Sequence, residues 1–176
     1  MHLPAGLEVL YRPGFVADDA GLLSRALEAL DWDRRMASRR TASCGIAYNY
    51  SGISYPDTPV PDFIALLFRD VSTVVGHPIN NCLANHYPDG ISSMGFHSDS
   101  GERVVPGTTT SLISLGGARR IVFRDKKDRR TSFDLELASG SLLVMGSSVQ
   151  DCWQHGLPRT EFAEPRVSLT LRHLVP

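Results

Sequence analysis

The stretch TTTSLISLGGARRIVFRDKKDRRTSFDLELASGSLLVMG, residues 108–146, determines the fold class of this 176-residue chain. It holds four short runs of β-branched and apolar residues, separated by turns that contain Gly, Asp or Lys. A fifth run of the same kind, RVSLTLRHLV, follows at residues 166–175. Short runs that follow one another without long helical segments between them favour an antiparallel barrel or jelly roll over a βαβ repeat.

The first half of the chain carries two helical patterns. Apolar residues recur at helical spacing after Asp18 and Asp19, which are good N-cap residues. A second pattern predicts a helix from about Pro61 to Val75, with Gly76 as its C-terminal cap. The apolar positions of the first helix are Leu22, Leu23, Ala26, Leu27 and Leu30. The expected buried face of the second is Phe63, Leu66, Leu67, Val71 and Val74. The predicted order is therefore helices first and a β core second, in one domain of residues 1–176.

The composition is that of a soluble globular protein, with 42% hydrophobic and 21% charged residues. No run approaches the ~20 apolar residues of a membrane span, and the N-terminus lacks the pattern of a signal peptide. Cys44, Cys82 and Cys152 lie far apart, which favours a reducing cytoplasm and argues against a structural zinc site. We expect a cytoplasmic monomer that does not bind membranes.

Charge gives little indication of a partner, because the formal net charge is only −1. Positive residues are nevertheless clustered in DRRMASRR, residues 33–40, and in RDKKDRR, residues 124–130. Each cluster fits a solvated loop as well as it fits a nucleic-acid contact, so both interpretations stay open.

The segment GFHSDSGE, residues 95–102, contains His97 and Asp99 two positions apart. Residues i and i+2 of a strand project to one face, so near a strand end these side chains would aim an imidazole and a carboxylate at one point. Two histidines and a carboxylate on one face of an octahedral ion form the ligand set of non-haem iron(II) oxygenases, whereas zinc more often takes a tetrahedral site. The alternative is a solvated loop without a metal. A metal site requires a second histidine from elsewhere in the chain.

Two downstream histidines could complete this ligand set. His155 follows the apolar strand SLLVM, and the Gly-Leu-Pro turn after it frees its side chain to face inward. His173 lies at the end of the last predicted strand. The sequence context favours His155 and leaves His173 as the alternative.

Two arginines frame the otherwise apolar strand in PRVSLTLRH, residues 165–173. An oxygenase that uses 2-oxoglutarate needs a buried cation for the distal carboxylate, and arginine supplies paired hydrogen bonds. The even spacing of Arg166 and Arg172 puts both on one face of the strand. An edge strand with its charged face in water is the alternative explanation.

The order and spacing of several segments resemble the AlkB family of iron(II)- and 2-oxoglutarate-dependent dioxygenases over roughly residues 40–174. The segments are NHYPDGISSMGFHSD, PGTTTSLISLGGARRIVFR, ASGSLLVMGSSVQDCWQHGLP and PRVSLTLR. Upstream, ASCGIAYNYSGI resembles the family's nucleotide-recognition region. The resemblance implies a double-stranded β-helix (a cupin-like jelly roll) that is mainly β, with N-terminal helices packed on one side. Helices and nucleotide-recognition region would fill about residues 1–80, and the β-helix core with the metal site about residues 81–176.

The resemblance also implies roles for individual residues. Asn85 and Tyr87, from the family's Asn-x-Tyr, would hydrogen-bond 2-oxoglutarate. Arg166 would pair with its distal carboxylate. Arg172 would line the pocket and help to bind both the cosubstrate and the substrate. The implied iron ligands are His97, Asp99 and His155.

For the substrate, the resemblance implies that Tyr50 stacks on a flipped base opposite His97. Tyr48 lies two residues earlier at strand spacing. The two rings are therefore predicted to form an aromatic platform just after the basic segment of residues 33–40. Two positions depart from the family's pattern. Ser168 stands where the family often has an asparagine, and its hydroxyl can still hydrogen-bond the cosubstrate. The second acidic residue that DNA-repair members usually carry soon after the metal aspartate is missing, and the next acid is Glu102.

The function implied is oxidative demethylation of N-alkylated bases, such as 1-methyladenine or 3-methylcytosine, in single-stranded DNA or RNA. Iron(II) would be the cofactor and 2-oxoglutarate and O2 the cosubstrates. Formaldehyde, succinate and CO2 would be released. A 2-oxoglutarate-dependent hydroxylase of a small metabolite on the same scaffold is the first alternative. A metal-free jelly-roll binding module is the second, and iron content with succinate formation separates it from both enzymes.

Overall fold

The computed structural model describes residues 7–50, 53–99 and 103–176, without the side chains of residues 49, 50, 53 and 54. The helices are α1 (Asp19–Ala29), α2 (Asp62–Val75) and α3 (Ser147–Cys152). The strands of the first half are β1 (Val9–Arg12), β2 (Arg40–Gly45), β3 (Tyr48–Tyr50), β4 (Ile53–Tyr55), β5 (Asn81–Tyr87) and β6 (Met94–His97). Those of the second half are β7 (Thr110–Gly116), β8 (Arg119–Asp125), β9 (Ser132–Leu137), β10 (Ser141–Met145), β11 (Trp153–Leu157) and β12 (Arg166–Arg172).

The strands form two main sheets and one hairpin. A six-stranded sheet has the order β1-β10-β7-β12-β5-β2, a four-stranded sheet the order β6-β11-β8-β9, and β3 pairs with β4. Neighbouring strands are antiparallel throughout, for example β12 with β5 and with β7. The jelly-roll prediction is confirmed, and the five predicted runs are strands β7, β8, β9, β10 and β12.

Strand β12 shows how the sheet separates the core from the pocket. All of its residues are buried, because both of its faces are covered. One face packs into the apolar core with residues of α1 and α2, where each buried Val or Leu side chain contributes about 1.5–3 kcal/mol. The core side is Val167, Leu169 and Leu171. The opposite face, which lines the pocket, is Arg166, Ser168, Thr170 and Arg172. The predicted common face of the two arginines is therefore observed, and it is buried.

Both predicted helices are present. The Asp18 side chain caps α1 by accepting a hydrogen bond from the Gly21 amide at 3.0 Å. Helix α2 ends at Gly76, whose φ of 75° is the left-handed conformation that glycine adopts without strain.

The predicted buried face of α2 was wrong at one residue. Leu66 is 50% exposed, and Ile64 is buried in its place together with Leu67 and Val71. Leu66 lies about 200° around the helix from Ile64, which puts it on the side away from the sheet.

The first half of the chain also contributes strands that the sequence interpretation did not identify. Strand β1 pairs with β10, and β2 pairs with β5, so the six-stranded sheet is bounded on both sides by segments from before residue 46. Within the described ranges, the longest helix is α2, and none is long and apolar enough to cross a membrane.

Candidate active site

The pairing of β6 with β11 brings two distant histidines together. His97 lies directly opposite His155 in the register, and their ring centroids are 4.4 Å apart. The next pair is Met94 with Leu157, so two residues of β6 face only one residue of β11. Such a β-bulge bends the strand and re-aims side chains. Both His97 and Met94 consequently face the same pocket.

Asp99 completes a cluster of metal-binding groups. Its Oδ2 atom lies 3.3 Å from His155 Nε2, and its Oδ1 atom lies 3.7 Å from His97 Nε2. One ligand atom from each of the three residues lies within 4.8 Å of the other two. Two imidazole nitrogens and one carboxylate oxygen are a donor set that suits iron(II) with coordination positions left open.

Hydrogen bonds outside the cluster orient these ligands. His97 Nδ1 is 2.9 Å from the Gly95 carbonyl oxygen, so an Nδ1–H tautomer donates there and leaves the Nε2 lone pair for a metal. The Asp99 amide donates to Gln150 Oε1 at 2.7 Å, and the Ser98 hydroxyl donates to the Trp153 carbonyl at 2.9 Å. These two bonds fix the segment that follows His97 against β11 and α3.

Arg172 keeps the carboxylate of Asp99 ionised. Its Nη2 group donates to Asp99 Oδ1 at 2.6 Å, and both side chains are almost completely buried. Burial would raise the pKa of Asp99, but the charge of Arg172, together with the neighbouring imidazoles of His155 and His97, holds that pKa well below its usual range. An anionic oxygen is what a divalent cation requires from this residue.

Arg166 provides a buried cation elsewhere in the same pocket. It is 1% exposed, its Nε donates to Ser114 Oγ at 3.0 Å, and its guanidinium carbon lies 5.2 Å from the centre of the Tyr87 ring. Its Nη2 has no hydrogen-bond partner among the described residues. Burial lowers the pKa of Arg166 to about 10, so the side chain stays charged at neutral pH. A buried charge with an open donor fits the carboxylate of a ligand.

All the predicted metal and cosubstrate residues line this one pocket. The cosubstrate set is Asn85, Tyr87, Arg166, Ser168 and Arg172, and the metal set is His97, Asp99 and His155. The remaining walls are mainly apolar, with Leu112, Ile121, Leu137 and Leu157 among them. A mostly apolar cavity with a few convergent polar groups is the usual form of a small-molecule site.

The alternative histidine lies elsewhere. The His173 ring stacks on His77 with 6.0 Å between centroids. Among the residues that the structure describes, the cluster able to hold a metal contains His155 and not His173.

Sequence reasoning missed three residues that hold the site together. Arg39 is 6% exposed and donates from Nε to Asn85 Oδ1 at 2.8 Å. Gln150 accepts the Asp99 amide, as described above. Arg119 is 4% exposed and donates to the carbonyls of three residues in two loops, Asp89, Ser92 and Pro158. None of the three carries a sequence signal for this role: even Arg39, one residue before β2, reaches Asn85 only because β2 pairs with β5.

The predicted aromatic platform requires a correction. Tyr48 is 5% exposed and packs in a small core cluster with Tyr55, Leu83 and Leu174, and the Arg172 guanidinium carbon lies 4.6 Å from the centre of its ring. Both faces of a side chain that buried are occupied by protein, so it offers no open ring to a base. The side chain of Tyr50 and the whole of Glu102 lie outside the described residues.

Comparisons with known sequences agree with a site for iron(II) and 2-oxoglutarate. A sequence profile described as "2OG-Fe(II) oxygenase superfamily" matches residues 25–172. "DNA oxidative demethylase ALKBH2" of Mus musculus is 34% identical over 140 residues, which cover 75% of this chain and 59% of that protein. "Alpha-ketoglutarate-dependent dioxygenase alkB homolog 3" of Rattus norvegicus is 29% identical over 198 residues, covering 98% of this chain and 66% of that protein. The chain spans 50–59% of the length of the ALKBH2 relatives from mouse, human and cattle.

The fold is also found among solved structures. "The structure of OsALKBH1" superposes with a TM-score of 0.73 at 18% identity, over 98% of this chain and 100% of that one.

Proposed function

This chain belongs to the AlkB family of iron(II)- and 2-oxoglutarate-dependent dioxygenases, and we propose that it oxidatively demethylates N-alkylated nucleobases in single-stranded nucleic acid. One observation carries the proposal. A single buried pocket combines the ligand atoms of His97, Asp99 and His155 with the charged, partly unpaired guanidinium of Arg166. These are the two attachment points that iron(II) and a dicarboxylic cosubstrate need.

The protein's own residues have separable tasks in this proposal. His97, Asp99 and His155 hold the iron, and Arg172 keeps Asp99 anionic. When bound, iron(II), 2-oxoglutarate and O2 supply the oxidation of a C–H bond, with succinate and CO2 as co-products and formaldehyde from an N-methyl carbon. Arg166 binds the distal carboxylate of 2-oxoglutarate.

Polar groups along the pocket would orient the cosubstrate. The Asn85 amide oxygen accepts from Arg39, which leaves the amide N–H groups as donors on the pocket side. Tyr87 and Ser168 add hydroxyl groups on the same wall. The apolar remainder of the wall excludes water from the reaction.

The names of the relatives support a nucleobase substrate, because one group is named for DNA oxidative demethylation. A base has to leave the stack to enter so enclosed a pocket, and a single strand avoids the few kcal/mol that unpairing costs. Tyr50 would stack on that base with ~1–3 kcal/mol, and Glu102 would favour a cationic one.

The test is formaldehyde release, one molecule per succinate, from oligonucleotides that carry 1-methyladenine or 3-methylcytosine. We expect the single strand to stimulate turnover more than the same lesion in a duplex, and Tyr50→Ala to remove the stimulation. Coupled succinate formation with a small metabolite, and no formaldehyde from any methylated oligonucleotide, would replace this function by metabolite hydroxylation.

A further inference from the structure

Phe96 and Arg124 form a contact on the outer face of the four-stranded sheet, and neither lines the pocket. Phe96 is 39% exposed, and the Arg124 guanidinium carbon lies 3.9 Å from the centre of its ring. Arg124 Nη2 donates to Gln154 Oε1 at 3.0 Å, which holds the guanidinium in place over the ring. Its Nε is buried without a hydrogen-bond partner. We call this pair the Phe96–Arg124 platform.

The platform lies next to the metal cluster. Phe96 immediately precedes His97, and β6 is an edge strand of its sheet in the described part of the chain. Because successive side chains of a strand point to opposite faces, His97 faces the pocket while the Phe96 ring lies on the outside. A ligand whose reactive part enters the pocket at His97 would therefore run past an exposed aromatic ring at the edge of the sheet.

A basic turn continues from the platform. Residues 124–130 carry a net charge of +3, from five Lys or Arg against two Asp, and residues 126–130 are exposed. Lys126 Nζ donates to the Gln150 carbonyl at 2.6 Å, and Gln150 in turn accepts the Asp99 amide. The turn is thus anchored to the same residue that holds the backbone of Asp99.

We propose that the Phe96–Arg124 platform and the basic turn bind the nucleic-acid strand that flanks the alkylated base, with a neighbouring base on Phe96 and phosphates at Arg124 and the turn. This inference rests on the proposed function, whose substrate it locates on the surface. An exposed ring beside clustered cations matches a single strand, which offers π faces and phosphates at regular intervals. An acidic protein segment would use the cations but has no need of the ring.

The test measures the dissociation constant of a fluorescently labelled, single-stranded 12-mer with one 1-methyladenine, by anisotropy, with Mn(II) and 2-oxoglutarate bound. Phe96→Ala should raise this constant at least about fivefold. Arg124→Ala should raise it similarly and reduce the slope of log affinity against log salt by about 0.7, the value for one lost phosphate contact. The matched controls are Phe162→Ala, which removes a ring that is 77% exposed, and Arg120→Ala on the same strand and face as Arg124.

Each control should change the constant less than about twofold. The platform is refuted if Phe96→Ala binds like the unaltered protein, if the controls lose as much affinity, or if polyglutamate displaces the 12-mer as well as poly(dT) does. Formaldehyde release from the same 12-mer distinguishes the two proposals. Release without sensitivity to Phe96 overturns the platform alone, and Phe96-dependent binding without release overturns the demethylase function alone.

Discussion

Arg166 should make the ligand-free protein less stable while making it able to bind 2-oxoglutarate. Its pKa falls from an ordinary value of 12.5 to about 10, and burial is the main cause. A shift of that size corresponds to about 3 kcal/mol against the charged form in the folded state. Because the folded-state pKa of a cation is lowered, this destabilisation is present at all pH values below about 10.

Arg166→Met removes the charge and keeps most of the side-chain volume. Removing the buried charge should raise the free energy of unfolding by about 3 kcal/mol. About 1 kcal/mol of this gain is lost, because Ser114 Oγ no longer accepts the hydrogen bond from Arg166 Nε. A net gain of about 2 kcal/mol raises the Tm of a protein of this size by about 4–8 °C. The same variant should bind 2-oxoglutarate at least about thirtyfold more weakly, since a carboxylate loses its paired donor.

The assay is thermal unfolding with Mn(II), with and without 2-oxoglutarate, together with calorimetric titration of 2-oxoglutarate. Arg119→Met is the matched control and should lower the Tm, because three loop carbonyls lose their donor at once. Arg166→Lys should recover only part of the 2-oxoglutarate affinity, because an ammonium group cannot make the paired contact. A Tm of Arg166→Met below that of the unaltered protein would contradict the predicted gain in stability. An unchanged 2-oxoglutarate affinity would show that another cation binds the distal carboxylate, with Arg172 the first to test.

Substitutions at four further residues test the metal site and the side chains that support it. Asp99→Ala should abolish succinate formation, because one of three metal ligands is lost, whereas His173→Ala should retain it; the opposite result would show that the wrong residues were assigned. Gln150→Met should weaken Mn(II) binding about tenfold by leaving the Asp99 amide without an acceptor, and Gln150→Glu should restore most of that affinity. Equal losses in both Gln150 variants would argue against this positioning role. Arg39→Ala should raise the dissociation constant of 2-oxoglutarate about tenfold, because the Asn85 amide loses its charged partner; calorimetry that finds no change would contradict it.

Much of the site was predictable because its signals are local. The i, i+2 spacing of His97 and Asp99 and the even spacing of Arg166 and Arg172 follow from the two-residue period of a strand, which holds before any tertiary contact forms. The resemblance to a family then supplied roles for these residues. The buried face of α2 shows the limit of such reasoning. Leu66 fits an apolar helical pattern, yet its side chain is exposed on the face of the helix away from the sheet.

By itself, the sequence determined the β-rich second half, the two helices of the first and the residue types of a metal and carboxylate site, because turn residues and apolar periodicity act over a few positions. Only the tertiary structure decided which histidine joins the cluster, because that depends on β11 pairing with β6. It also decided that Arg172 reaches Asp99 across 73 positions and that Tyr48 is buried beneath Arg172. Register between strands is set by burial over the whole sheet, and no short stretch of sequence contains that information.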